Sequence, residues 1–255
     1  MNSKPQLYTA MVTSVTNVAG KFYVVKLTFS EPASPSNRGE PKEMQYLAGQ
    51  YVIFKIGPPK GNHTLSIASA PNPDGTIELL QSVAPMGEGS KWMLGLKPGD
   101  PIQFLGPLGR FTFDHASTRP KVFVATGCGI APLRAMLMEE LNGQRTINNK
   151  QGTINNKQMM LFWGLRHEED VFWKEEFEAL ATNHPNFRYT ITLSQPTPSW
   201  NGTRGRVTEH VLKEIPDVKN AEFYLCGARA MIVDMRELLI KNGVPAEQIF
   251  TETFF

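Results

Sequence analysis

The sequence predicts an antiparallel β-barrel over residues 1–116 followed by a parallel, doubly wound α/β domain over residues 117–255. Short β-rich runs fill the first half, apolar strands alternate with stretches of helical period in the second, and Ser117-Thr118-Arg119-Pro120 marks the change. A chain of 255 residues, 41% hydrophobic and 10% aromatic, is long enough to bury two such cores.

In the first half the expected strands are Tyr8–Val15, Phe22–Phe29, Gln50–Ile56, Thr76–Gln81 and Ile102–Leu105. Turns such as Gly57-Pro58-Pro59 and Lys97-Pro98-Gly99-Asp100 separate them, at the spacing of a small barrel. In the second half Val122–Ala125 precedes a helix over Ala131–Leu141, and Met159–Trp163 precedes one over Val171–Leu180. Tyr189–Leu193 then precedes Val207–Glu214, Phe223–Leu225 precedes Ala230–Lys241, and Gln248–Thr251 forms a last strand. Repeated strand-then-helix units build a parallel sheet, whose ligands bind at the carboxyl ends of its strands.

Charge and cysteine content exclude several classes. The net charge of +2 comes from 26 basic and 24 acidic residues scattered along the chain, so neither a nucleic-acid surface nor a polybasic membrane surface is expected. Two cysteines, Cys128 and Cys226, are too few for a disulfide framework, a four-cysteine zinc site or an iron–sulfur cluster, and no metal is expected. Met1–Thr13 lacks the build of a signal peptide and no apolar run approaches a membrane span, which together favour the cytoplasm. The tandem duplication of Thr146–Gly152 as Thr153–Gln158, lacking only the final glycine, reads as a surface-loop expansion without a functional part.

The strongest local feature runs from Val122 to Pro132, where an apolar strand enters Thr126-Gly127-Cys128-Gly129 and then a helix. Glycine lets the backbone approach a phosphate, and the helix start offers free amides and the positive end of a dipole. Pro132 suits a first helical turn. A tight strand-to-helix turn without a ligand is the other reading, and position on the first strand of a parallel sheet favours the dinucleotide one.

This segment resembles the G-x-G-x-[AT]-P signature of the ferredoxin–NADP reductase-like flavoproteins, and further signatures follow in that family's order over nearly the whole chain. The resemblance implies FAD on the barrel and NAD(P) on the α/β domain. His63-Thr64-Leu65-Ser66-Ile67-Ala68-Ser69 resembles the flavin motif R-x-Y-[ST]-x-x-S, with His63 in place of the arginine that pairs with the pyrophosphate and Leu65 in place of the tyrosine that stacks on the ring. Ser66 corresponds to the hydroxyl that approaches flavin N5. Gly87-Glu88-Gly89-Ser90 resembles the pyrophosphate clamp, with Lys91 as a charge that could replace the arginine, and Gly106–Phe111 resembles the turn G-P-x-G-x-F. A helix cap and a hairpin turn are the structural alternatives for those two segments.

Cys226-Gly227-Ala228-Arg229-Ala230-Met231 resembles C-G-x-x-x-M, whose cysteine packs beside the nicotinamide. Thr251–Phe255 resembles the terminal E-x-[aromatic], implying a role for Glu252 in hydride-transfer geometry and for Phe254 or Phe255 in covering the flavin. A buried strand-end cysteine is also ordinary packing. Cys128 is read as a small turn residue, since no positioned base accompanies it. Ser194-Gln195 is uncharged where NADPH-using relatives commonly carry arginine, which points to NADH, whereas Arg166 and Arg206 resemble positions that carry arginine in some NADPH users.

The function expected is electron transfer from NAD(P)H through bound FAD to a separate ferredoxin-like or oxygenase protein. A flavin reductase that exchanges free flavin, and a non-catalytic adaptor that keeps the fold, are the alternatives.

Overall fold

A computed structural model describes residues 4–29, 44–56, 61–72, 74–143 and 157–253. Its contacts divide the chain into two units, Met1–Phe113 with Arg134–Gln151, and Asp114–Leu133 with Gly152–Phe255. The Gly57–Pro59 turn, most of the duplicated loop, and Phe254 and Phe255 lie outside the described residues.

In the first unit β1 (Gln6–Ala19), β2 (Phe22–Thr28), β3 (Tyr51–Lys55), β4 (Asn62–Ser66), β5 (Thr76–Ser82) and β6 (Pro101–Leu108) form one antiparallel sheet in the order β4-β3-β6-β1-β2-β5. A bridge between Ile67 and Leu79 joins its two outer strands, so the sheet closes into a barrel. The long β1 can serve two neighbours because register shifts at Val12/Ser14 and Asn17/Ala19 bend it. Alternation sends Tyr8, Ala10 and Val12 inward, where Tyr8 stacks on Phe104 at 5.9 Å between ring centroids. Helix α1 (Glu88–Gly95) inserts Met93 into the same core. β4 lies outside the expected strands, because Asn62–Ser66 holds one large apolar residue, while α1, which has no strong apolar stripe, follows the helix cap that was the structural alternative for Gly87–Ser90.

The second unit carries a parallel six-stranded sheet, β7 (Lys121–Thr126), β8 (Met159–Leu165), β9 (Phe187–Leu193), β10 (Thr203–Arg204), β11 (Glu222–Gly227) and β12 (Ile249–Thr253), ordered β10-β9-β8-β7-β11-β12. β8 is buried along its whole length, as expected of a central parallel strand covered on both faces. Each large apolar side chain fully buried there contributes roughly 1.5–3 kcal/mol. Strand order reverses between β7 and β11, which sets the switch point beside Gly127 and Cys226.

Helix α2 (Ile130–Leu141) follows a 3-10 turn over Gly127–Gly129, and its residues from Arg134 onward group with the barrel. Helix α3 (Lys174–Asn183) begins three residues later than expected, because Trp173 adopts a left-handed conformation with φ 53° and stops the helix from starting at Val171. The helix expected over Val207–Glu214 is divided into a 3-10 turn, Val207–Glu209, and a single α-turn, α4 (Val211–Glu214). Helix α5 (Arg229–Lys241) packs Met231, Ile232, Met235 and Leu239 into the core.

The amino-terminal edge of this sheet holds a buried ion pair between Lys121 and Glu222. The Tyr224 hydroxyl donates to Glu222 Oε2 at 3.4 Å and accepts the Asp114 amide at 3.0 Å. Burial pushes the Tyr224 phenol well above its ordinary pKa, so it stays a donor.

Candidate functional site

The carboxyl ends of the parallel strands gather most of the expected dinucleotide residues. Gly129 lies so close to β11 that a Cβ there would sit 2.1 Å from the Cys226 carbonyl oxygen. Gly227, at φ +138°, would bring a Cβ within 2.3 Å of Thr126 Oγ1, and the Ala228 amide donates to that hydroxyl at 2.9 Å. These glycines are therefore required by the crossing of two chain segments, whether or not a ligand is bound. Thr126 is committed to Ala228, and no side chain caps the turn that opens α2. Uncapped amides beside such a crossing suit a pyrophosphate. Pro132 is buried within the first turn of α2, as expected of its missing amide.

Cys226 and Glu252 are ladder partners on β11 and β12, and Cys128 lies near enough to interact with the Cys226 thiol. Burial first, and then the Glu252 carboxylate, push that thiol well above its ordinary pKa. Cys226 is therefore a neutral thiol with 0% exposure, able to pack against a ring but not to act as a thiolate. Met231 points into the core of its unit with 7% exposure, a place that explains its apolar character through packing.

At the neighbouring strand ends, Arg166, Ser194, Gln195 and Arg206 are all exposed. The Gln195 amide donates to the Arg166 carbonyl at 2.9 Å and Ser194 donates to Leu165 at 3.0 Å, so β8 and β9 deliver these residues side by side. Gly164 lets Val207 approach, which brings Arg206 toward the same edge. Among the described residues neither Arg166 nor Arg206 has an ion-pair partner. Arg204 differs, since its guanidinium donates to the carbonyls of Thr197, Pro198 and Trp200 and so fixes the loop after β9.

In the barrel, His63 and the segment Gly87–Ser90 come together. His63 Nε2 lies 2.9 Å from Gln81 Oε1, and a Cβ on Gly89 would fall 2.5 Å from the imidazole. Nothing lies within 4 Å of a Cβ built on Gly87, and no side chain caps α1. Open space before an uncapped helix start fits the diphosphate of FAD. Lys91 pairs with Glu88 at 3.0 Å and is exposed. Thr64 is exposed, while Leu65 packs into the barrel core with 6% exposure and offers little surface to a ring. Ser66, at the end of β4, is buried at 2% exposure. Within Gly106–Phe111, Gly106–Leu108 extends β6 instead of turning, and Gly109 turns the chain at φ +99°.

Three residues of the first unit were missed by sequence reasoning, Arg134 among them on helix α2. Tyr46 donates to the Ala70 carbonyl at 2.7 Å and contacts Ser69 Oγ at 3.1 Å, and Arg134 donates to the Ala68 carbonyl at 2.8 Å and to Glu78 at 2.9 Å. Both hold the segment that follows Ser66. Gln81 is the third; a polar side chain directly after Leu79-Leu80 was its one visible signal.

A closed barrel followed by a parallel sheet with paired glycine turns at its switch point defines the two-domain class of dinucleotide-dependent flavoproteins. The Oxidoreductase FAD-binding domain family matches residues 36–113, and the Oxidoreductase NAD-binding domain family matches residues 123–237. Over 247 residues the chain is 33% identical to ferredoxin–NADP reductase B of Sorangium cellulosum, covering 91% of this chain and 97% of that protein. It is 30% identical over 223 residues to the reductase component of propane 2-monooxygenase from Rhodococcus jostii, covering 84% and 57%. A component of the Na(+)-translocating NADH-quinone reductase of Pseudomonas aeruginosa is 31% identical over 204 residues, which cover 74% of this chain and 47% of that component. The fold is shared with Amycolatopsis cytochrome P450 reductase GcoB (TM-score 0.83, 24% identity, 98% of this chain and 70% of that one). It is shared too with the flavohem-like FAD/NAD-binding domain of Vibrio cholerae nitric oxide dioxygenase (TM-score 0.78, 18% identity, 97% and 98%). The chain belongs to the ferredoxin–NADP reductase-like flavoproteins, and is an NAD(P)H-dependent FAD oxidoreductase. Among the described residues no helix is long and apolar enough to cross a membrane, and no three His, Cys, Asp or Glu side chains gather as metal ligands.

Proposed function

We propose that residues 1–116 hold FAD, that residues 117–255 hold the dinucleotide, and that electrons pass from NAD(P)H to a separate acceptor, an iron–sulfur protein or an oxygenase component, in the cytoplasm. FAD supplies the means of accepting a hydride from nicotinamide and releasing electrons singly. The meeting of Gly129, Cys226 and Gly227 at the sheet's switch point carries this reading, because it leaves amides of the α2 turn uncapped beside a small buried side chain. The names of the Sorangium and Rhodococcus relatives support a protein acceptor.

In this reading Gly127, Cys128 and Gly129 take the dinucleotide diphosphate by their amides, with Thr126 and Pro132 fixing the turn. Cys226, Gly227 and Glu252 position the nicotinamide, with Met231 behind them. Ser66 meets the reactive edge of the flavin, and His63, Thr64, Leu65, Gly87, Gly89, Ser90 and Lys91 surround the rest of that cofactor. Phe254 and Phe255 follow directly on β12 in sequence and are assigned to cover the flavin.

The uncharged Ser194-Gln195 pair favours NADH. A second reading, NADPH, draws on the exposed Arg166 and Arg206, which have no ion-pair partner among the described residues.

Purified protein tests the proposal directly. A flavin absorption band that survives gel filtration, and NAD(P)H-dependent reduction of an added ferredoxin, are the expected results. Flavin lost on the column, with activity restored in proportion to added free flavin, would favour a flavin reductase instead. A colourless protein that oxidises no NAD(P)H with FAD added would leave the adaptor reading.

A further inference from the structure

Asparagine precedes glycine at three places in the sequence, Asn142-Gly143, Asn201-Gly202 and Asn242-Gly243. Such a step is chemically labile, because glycine leaves its nitrogen unshielded toward the asparagine side-chain carbonyl. The fold treats the three differently. Asn142 and Asn242 follow the last turns of α2 and α5, where their backbone amides donate to the carbonyls of Met138 and Leu238 at 3.1 and 3.2 Å. Their side chains reach back along the helix, to Met138 Sδ at 3.4 Å and to the Leu238 carbonyl at 2.8 Å, and so point away from the next residue. The Gly243 amide is engaged as well, donating to the Ile240 carbonyl at 2.9 Å.

Asn201 and Gly202 are both exposed, in the loop between β9 and β10. Among the described residues neither the Asn201 side chain nor the Gly202 amide has a hydrogen-bond partner. Glycine is required there, since a Cβ on residue 202 would fall 2.5 Å from the Trp200 ring. That ring is itself fixed, with Nε1 donating to the Thr203 carbonyl at 3.1 Å. Arg204 ties down the same stretch, donating to the Trp200 carbonyl at 2.6 Å. The packing of Trp200 thus places a glycine directly behind a free asparagine.

We propose that Asn201 is a site of spontaneous deamidation, and that its isoaspartate product releases the loop between Trp200 and Thr203. The deprotonated Gly202 nitrogen attacks the Asn201 side-chain carbonyl carbon, a carbon–nitrogen bond forms, and the Cγ–Nδ2 bond breaks. Ammonia leaves, carrying the proton that the glycine nitrogen lost. Water then opens the cyclic imide at either carbonyl, giving aspartate or isoaspartate, with nothing oxidised or reduced. Isoaspartate lengthens the main chain by a methylene inside the segment that the Trp200–Thr203 bond closes. That bond and the Arg204 contacts with Thr197, Pro198 and Trp200 then no longer fit together.

The test is to age the purified full chain in mildly alkaline buffer, folded and in denaturant, and to map the mass gain of an amide turned acid by peptide mass spectrometry. In folded protein Asn201 should convert about tenfold or more faster than Asn142 and Asn242, because those two steps react only after local opening. In denaturant the three rates should converge. Acidifying the folded sample should slow conversion, since the attacking nitrogen must lose its proton. An isoaspartate-directed methyltransferase should label the Asn201 peptide of the aged chain, and limited trypsin digestion should cut after Arg204 sooner in aged than in fresh protein. Conversion of Asn142 or Asn242 ahead of Asn201 in the folded chain, or the same ranking in denaturant, overturns the assignment of the site. Conversion at Asn201 with unchanged cutting at Arg204 overturns the release of the loop.

Discussion

The Ala228 amide donates to the Thr126 hydroxyl at 2.9 Å, and that one bond ties the carboxyl end of β7 to the carboxyl end of β11. The two glycine turns are thus built as a single piece, with Gly227 at φ +138° over Thr126 and Gly129 pressed on the Cys226 carbonyl. A side chain at position 129 meets backbone, which cannot rotate away. Gly129→Ala is expected to destabilise the protein by about 3 kcal/mol or more, measured as a lower urea midpoint at unchanged slope. Wild-type stability in that variant would mean that the crossing is looser than described.

Cys226→Ala and Glu252→Ala are expected to slow flavin reduction by the dinucleotide about tenfold or more, while leaving FAD binding nearly intact. Small displacements of a reacting pair cost large factors in rate, and both residues lie at the strand ends assigned to the nicotinamide. Stopped-flow reduction at saturating dinucleotide separates this step from binding. Unchanged rates in both variants would reduce them to packing residues.

Gln195→Arg should shift the ratio of kcat/KM values toward NADPH by about tenfold, the scale of one added arginine–phosphate contact. Arg166 and Arg206 provide the control, because their removal should lower NADPH use selectively if the second reading holds. A wild type that strongly prefers NADPH would sink the argument from the uncharged Ser194-Gln195 pair.

Thiol labelling should distinguish the two cysteines. Burial holds the Cys226 proton well above the usual thiol range, so at pH 8 its thiolate fraction is small and its sulfur is inaccessible. The partly exposed Cys128 is therefore expected to label first in the native protein. One equivalent is expected to react in native protein and a second only on unfolding.

Glu222→Gln removes the charge that compensates Lys121, which has no exposed surface. Breaking one partner of a buried pair costs about 3–5 kcal/mol, whereas replacing both with apolar residues of similar volume is often neutral. Thermal melts of Glu222→Gln and of the double variant Lys121→Met/Glu222→Leu should therefore fall in opposite order to the number of substitutions.

The parallel sheet was legible because its central strands are largely apolar and its helices carry the apolar period, and both signals survive in Met159–Leu165 and Ala230–Lys241. Boundaries failed where local conformation overrode pattern, as at Trp173 and around His210. The dinucleotide turns could be read from glycine spacing, although the reason for the glycines, contact between two strand ends, could not. Gln81, Tyr46 and Arg134 were invisible for a different reason. Each acts through a partner 9 to 66 positions away, and no local pattern encodes such a pairing.

Barrel closure rests on the Ile67–Leu79 bridge, on the Ala68 amide donating to the Glu78 carbonyl at 2.7 Å and on the Glu78 amide donating to Ser69 Oγ at 3.0 Å, whereas each other strand boundary is a ladder of three or more registered pairs. The seam falls one residue after Ser66. Opening it breaks few backbone hydrogen bonds and leaves the remaining five ladders intact, so local opening is expected at this seam. The amides of Ala68 and Glu78, which bond across the seam, should exchange with deuterium ahead of those in β1 and β2, and anything that clasps the segment after β4, Arg134 and Tyr46 included, sets the rate at which that door swings.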